Sequence, residues 1–144
     1  MFQSETLLRV RYAETDQMGF AYYGYYAMYY EVARVESLRH LGTSYKALEE
    51  LGVMLPVLEN NSRYFAPAHY DDELRIVTYL REKPGVRLKF EYDIFNSKGD
   101  LIHQGNTLLV WVERKTGKPC RPPQIFMKLL EPFFQEKILT GKEE

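Results

Sequence analysis

From about residue 24 to residue 41 the chain can form one long helix that is apolar on two sides, and this segment limits the possible folds most. At about 100° per residue, Tyr26, Tyr29, Tyr30, Ala33, Ser37 and Leu41 fall together, while Met28, Val32 and Val35 form a second apolar stripe. Gly42 is placed to close the helix at its C′ position. A helix of this pattern needs cover on both faces. The later segments supply a sheet: residues 53–68, 73–82, 86–95 and 101–113 are rich in β-branched and aromatic residues that often alternate with polar ones. They read as consecutive antiparallel strands forming a four-strand meander, with turn chemistry at Lys83-Pro84-Gly85 and at residues 96–100. Pro56 and Pro67 predict that the first of them is bent or interrupted. A further strand is expected over residues 7–12, a short helix from an N-cap at Thr43 or Ser44 to Gly52, and a last helix from Pro123 or Gln124 to Leu130. The tail after Lys137 is expected to fray. The sum is an α+β domain, one long helix packed on a curved antiparallel sheet of about five strands.

With 144 residues, 45% of them hydrophobic, the chain is sized for a single domain over residues 1–144 with its core at about 5–130. A formal charge of -1 argues against a nucleic-acid partner, which is bound largely through its phosphates. No apolar run reaches the roughly 18 to 20 residues of a membrane helix. The start of the chain lacks a signal-peptide pattern, and Cys120 is the only cysteine, so a reducing cytoplasm is the expected location. His40, His69 and His103 are widely separated, so no metal site is expected. Phosphate-binding glycine loops and G-x-S-x-G elbows are absent.

Of 12 tyrosines, six stand at Tyr22, Tyr23, Tyr25, Tyr26, Tyr29 and Tyr30, a density that suits a pocket wall or a subunit interface. Just before them, Asp16 and Gly19 lie in a polar loop that leads into the helix. The first-turn N–H groups of a helix are unsatisfied and carry partial positive charge, so they can polarise a carbonyl. A carboxylate facing that carbonyl can attack it or deprotonate a water that does. Spacing alone also allows Asp16 to be a loop-stabilising acid. Glu31 and Arg34, one turn apart, read as a local ion pair, Asp71-Asp72 as a turn, and His69 as a surface strand histidine.

The run Arg11-Tyr12-Ala13-Glu14-Thr15-Asp16-Gln17-Met18-Gly19, followed by Tyr22-Tyr23-Gly24-Tyr25-Tyr26 and Tyr29-Tyr30-Glu31-Val32-Ala33-Arg34, resembles the opening of the hotdog-fold acyl-CoA thioesterases related to 4-hydroxybenzoyl-CoA thioesterase. A second stretch, from Tyr64-Phe65-Ala66-Pro67 through Ala68-His69-Tyr70-Asp71-Asp72, is similar to that family's bent second strand and the turn after it.

The resemblance implies a hotdog fold and hydrolysis of an acyl thioester, carried by coenzyme A or by an acyl carrier protein, without metal or bound cofactor. It gives Asp16 the role of nucleophile or general base and places the Tyr23 backbone N–H against the thioester oxygen. Gly19, Tyr22, Gly24, Tyr25 and Tyr26 follow as substrate-binding positions. Arg63, Lys83, Arg87 and Lys89 are the cations available to the phosphates of the leaving group. Relatives often carry His where this chain has Tyr23 and Asn where it has Tyr25, which separates the N–H role from any side-chain role. A homodimer with sheets joined edge to edge, or a homotetramer, is implied as well. Two other readings stand beside hydrolysis: an acyl-thioester hydratase or dehydratase, which would need a histidine to move a proton, and a non-catalytic acyl-binding domain.

Overall fold

A computed structural model describes residues 1–135. The expected fraying after Lys137 lies outside them. Among the described residues seven strands and three α-helices follow one another as β1 (Phe2–Arg9), α1 (Tyr26–Leu41), α2 (Tyr45–Glu50), β2 (Val53–Met54), β3 (Val57–Tyr64), β4 (Glu73–Leu80), β5 (Arg87–Phe95), β6 (Leu101–Val110), β7 (Val112–Glu113) and α3 (Gln124–Leu130). Five strands form one antiparallel sheet in the order β1-β4-β5-β6-β3, while β2 and β7 pair separately. The sheet carries α1 on one face.

Period-two alternation builds that face. In β5, Leu88, Phe90, Tyr92 and Ile94 are buried beneath the helix, and Arg87 and Lys89 are exposed on the opposite side. From α1, Tyr26, Tyr29, Tyr30, Ala33 and Leu38 meet them, each burial of a large side chain stabilising the fold by about 1.5–3 kcal/mol. The ring of Tyr30 lies parallel on that of Tyr92 with centroids 4.2 Å apart. Gly105 of β6 makes room for it, since a Cβ there would stand 2.0 Å from the Tyr30 hydroxyl. The second stripe of α1 is only partly covered: Met28 and Val35 are half-buried and Val32 is exposed.

Gly42 closes α1 in the left-handed region, with its own N–H and that of Thr43 returning to Leu38. Ser44 caps α2 as expected, its hydroxyl accepting the Ala47 N–H.

Four expectations are corrected. The first strand spans Phe2–Arg9 rather than residues 7–12, because its inward positions include Ser4 and Thr6, whose polarity hides the alternation; Ser4 and Ser37 hydroxyls pair at 2.6 Å inside the core. The long helix begins as a 3-10 turn over Tyr23–Tyr25 before α1 proper. Residues 53–68 are interrupted at Pro56 into β2 and β3, as expected, but end at Tyr64 rather than Ala68, and residues 101–113 divide into β6 and β7. The meander also holds only for β4, β5 and β6. After β3, the segment over residues 65–72 crosses the open end of β6 and β5, so β3 becomes the far edge against β6 and β4 pairs with β1. A segment of that length without a tight-turn pair favours a crossing over a hairpin.

Candidate active site

The loop after β1 is held from within. Asp16 donates its N–H to the Phe20 carbonyl at 2.9 Å and accepts the Gly19 N–H on its own carbonyl at 3.0 Å. Its Oδ1 accepts N–H bonds from Met18 at 2.9 Å and Phe20 at 3.3 Å. Gly19 adopts φ 77°, the left-handed conformation this reversal requires. One carboxylate oxygen is thus occupied in shaping the loop, and among the described residues Oδ2 takes no hydrogen bond.

Two contacts seat the loop between the helix and the crossing segment. Tyr22 gives its N–H to the Glu14 carbonyl at 2.8 Å, and Ala21 gives its N–H to Ala68 at 2.7 Å. Tyr22 is extended, with φ −62° and ψ 134°, and the 3-10 turn starts immediately after it. The N–H groups of Tyr23 and Gly24 open that turn and have no acceptor inside it.

Asp16, Tyr23 and Tyr26 line one cavity of about 320 Å³, closed by Phe20, Tyr64, Phe65 and Pro67. Tyr22 and Tyr25 border a second, wider depression of about 530 Å³ that shares Asp16. Gly19 shapes the loop, and Gly24 lets Tyr22 lie against it, since a Cβ there would come 2.9 Å from the Tyr22 ring. The four expected cations do not converge. Arg63 lies on the helix-free face of the sheet in a polar groove with Arg81, Glu91 and Asp93, Lys83 lies beside Met127 and Leu130 of α3, and Arg87 and Lys89 are exposed on β5.

Behind the cavity wall stands a residue that sequence spacing did not single out. His103 of β6 is fully buried opposite Tyr64 of β3, and the Tyr26 ring stacks on its imidazole at 4.1 Å. Its Nε2 is hydrogen-bonded to the Tyr30 hydroxyl, which also pairs with Ser62 Oγ at 2.7 Å. Only the pairing of β3 with β6 brings His103 here, so chain spacing carried no signal of it. Burial, with a smaller push from Tyr64, raises Tyr26 to about 12 against the lowering effect of the Ala68 backbone, so it acts as a neutral wall.

Burial also depresses His103 to about 4. Below its ordinary value near 6.5, the unfolded chain binds a proton that the folded chain refuses. Stability is therefore expected to fall as pH drops from 6.5 to 4, by about 3 kcal/mol in total. Denaturant midpoints across that range will check this, with His103→Phe flattening the dependence.

The expected ion pair of Glu31 with Arg34 is replaced by a buried network. Arg34 turns onto the sheet and donates to the hydroxyls of Tyr92 at 3.0 Å, Thr107 at 3.2 Å and Tyr45 at 3.2 Å. The inward hydroxyls of β5 and β6 provide a dry, well-formed set of acceptors that an exposed Glu31 does not match. Asp71 and Asp72 make a turn, as expected, with Asp72 Oδ2 accepting the His69 N–H at 2.8 Å. His69 is exposed, but it lies in the crossing segment rather than in a strand. Among the described residues no cluster of His, Cys, Asp or Glu is arranged to hold a metal, and no helix is long and apolar enough to cross a membrane.

A family model described as the thioesterase-like superfamily matches residues 10–137. The acyl-CoA thioester hydrolase YbgC of Escherichia coli O6:H1 is 36% identical over 117 residues, which cover 81% of this chain and 87% of that protein. The DHNA-CoA thioesterase of Staphylococcus aureus has a similar structure, with a TM-score of 0.81 and 36% identity over 93% of this chain and 85% of that one. A 4-hydroxybenzoyl CoA thioesterase mutant matches with a TM-score of 0.79 over 90% of this chain and 99% of that one, and at 17% identity it shows the shared fold alone. With a helix wrapped by a five-stranded sheet and a match across most of its length, the chain belongs to the thioesterase-like superfamily, among its hotdog-fold acyl-CoA thioesterases.

Proposed function

We propose that the chain hydrolyses an acyl-CoA thioester at the cavity beside the start of α1, using Asp16 and the Tyr23 N–H. The observation that carries this reading is the sharing of one aromatic-walled cavity by Asp16 and the first turn of the helix. As nucleophile, Asp16 Oδ2 bonds to the carbonyl carbon, the C–S bond breaks, and the thiolate leaves and takes a proton from solvent; water then cleaves the resulting anhydride. As general base, Asp16 removes a proton from the attacking water and that proton passes to the departing thiolate. In both routes the carbonyl oxygen gains negative charge facing the Tyr23 N–H. Its products are a free acid and coenzyme A. The names of YbgC and the Staphylococcus aureus enzyme support coenzyme A as the carrier. The residues lining the cavity include no histidine, which favours hydrolysis over hydration.

A homodimer joined through β3 completes the reading. This edge strand is exposed along nearly all its length, with Val57 and Leu58 each about half exposed. An uncovered edge of this kind invites another strand. Tyr64 at its end, and Phe65 just beyond, line the cavity, so the joined edge would reach the site. A cytoplasmic location fits the single cysteine, Cys120.

An acyl-CoA panel from short aliphatic to aromatic, read by thiol release from sedimentation-sized protein, tests both parts. One thiol per acid formed, from a species of twice the chain mass, is expected. Binding without thiol release would make it an acyl-binding protein, and full activity in a dilute monomer would remove the dimer from the site.

A further inference from the structure

Glu14 is a buried carboxylate that the reaction itself does not use. Its side chain is 3% exposed and accepts three hydrogen bonds, from the Arg11 N–H at 2.9 Å and Tyr29 hydroxyl at 3.0 Å on Oε1, and from Arg11 Nε at 2.9 Å on Oε2. Arg11 belongs to the same loop, but Tyr29 projects from the second turn of α1. The remaining hydrogen bonds of residues 15–20 close the loop on itself or on its neighbours in sequence, apart from the bridge between Phe20 and His69. Glu14 is therefore the side chain that fastens the Asp16 loop to the helix whose first turn faces the substrate. Its backbone carbonyl does a separate task, holding the Tyr22 N–H at 2.8 Å ahead of the Tyr23 amide.

We propose that the Glu14 carboxylate is a positioning residue for the thioesterase reaction, setting the distance between Asp16 and the start of α1 through its bond to Tyr29. The inference rests on the reading of Asp16 and Tyr23 given above. Full burial of a carboxylate is costly unless its lone pairs are met. Here burial alone raises the carboxyl, but the Arg11 N–H and guanidinium and the Tyr29 hydroxyl outweigh it and hold Glu14 below the ordinary carboxylate range. Glu14 thus stays charged, and its bonds to Arg11 and Tyr29 persist, at any pH where an acyl-CoA hydrolase works. The Phe20–His69 bridge and the Ala21–Ala68 bond hold one end of the loop to the crossing segment; without the Glu14 tie the Asp16 end can turn about that hold, and with it the end is fixed to the helix. Misplacing a reacting group by about 1 Å costs about 100-fold in rate, so a pivot of that size is enough to matter.

Glu14→Met, which removes both carboxylate oxygens from Arg11 and Tyr29, tests the tie while sparing the other arm of the site, because the substitution leaves the backbone carbonyl that holds Tyr22 in place. Expected is a folded protein whose kcat falls about 10- to 100-fold with KM within about twofold. Tyr29→Phe, which deletes one hydroxyl, is expected to give a smaller fall of the same kind, and it carries the test if Glu14→Met fails to fold. The decisive readout is coupling. Placed in an Asp16→Asn background, either substitution should cost little more, because a residue acting through Asp16 has nothing left to position. Unchanged kcat in the single variants, or an equal fractional loss with Asp16 already replaced, would overturn the inference. Full activity of Asp16→Asn by itself would instead overturn the underlying reading of the site, so the two failures are distinguishable.

Discussion

Asp16→Asn is expected to fold as the parent does and to lose about 10²- to 10⁴-fold in kcat for acyl-CoA hydrolysis, with KM nearly unchanged. The shape of the loop explains the first half. Oδ1 of Asp16 accepts the N–H groups of Met18 and Phe20, and an asparagine oxygen in the same position accepts them too. What asparagine lacks is the charge on the other oxygen, which in the proposed mechanism attacks or takes a proton. Residual turnover should remain, because in the proposed mechanism the Tyr23 N–H still polarises the carbonyl and the cavity still orients the acyl group. Thiol-release kinetics on the purified variant, beside its thermal melt, measure both halves. A folded variant with parental kcat would show that Asp16 only shapes the loop, the bland role that its spacing also allowed.

Gly105→Ala is expected to lower stability by about 3–5 kcal/mol, more than ordinary overpacking, because it disturbs a hydrogen-bonded hub as well as a contact. An added Cβ would lie 2.0 Å from the Tyr30 hydroxyl, 2.4 Å from its ring carbon and 2.8 Å from the Asn61 carbonyl of the neighbouring strand. Tyr30 must move or β3 must separate from β6. If Tyr30 moves, His103 Nε2 loses its partner while fully buried, and Ser62 loses its link to the helix. At about 3 °C per kcal/mol for a chain of this size, the melting temperature should fall by about 10 °C or more. Scanning calorimetry of Gly105→Ala checks this. Adding Tyr30→Phe should recover only part, since the ring carbon still crowds the new methyl.

Much of this architecture was legible from the chain because several local signals agree. In β5 the alternation of Leu88, Phe90, Tyr92 and Ile94 with polar residues gives both the strand and its buried face. Gly42, Ser44 and Gly52 mark helix ends through chemistry that depends on a few neighbours only. Strand order is different. The length of residues 65–72 argues against a hairpin, but nothing local names β6 as the partner of β3, and the same absence hid His103, whose place beside Tyr26 exists only through the register Tyr64↔His103. Arg34 shows a related limit: its neighbour Glu31 is visible in the sequence, whereas the hydroxyls of Tyr92 and Thr107 arrive from strands far along the chain. At the site, Asp16 and Tyr23 were readable as a loop acid and a helix start, and the fold brings them to one cavity. The faces of Arg63, Arg87 and Lys89 were not readable, because a charge on a strand reveals its face only when the partner strands are known.

The crossing segment over residues 65–72 also bears on how the enzyme comes into being. The Asp16 loop rests on Ala68 through the Ala21 N–H, and β1, which delivers that loop, is paired with β4 from Phe2↔Leu80 to Arg9↔Glu73. These contacts join segments far apart in sequence, the kind that form late because a long loop must be closed first. A chain still emerging, or one stalled after α1, has its acid and its helix start but no floor between them. Meeting of the Asp16 loop, the start of α1 and Ala68 is therefore a property of the completed topology, gained in the same event that docks the first strand.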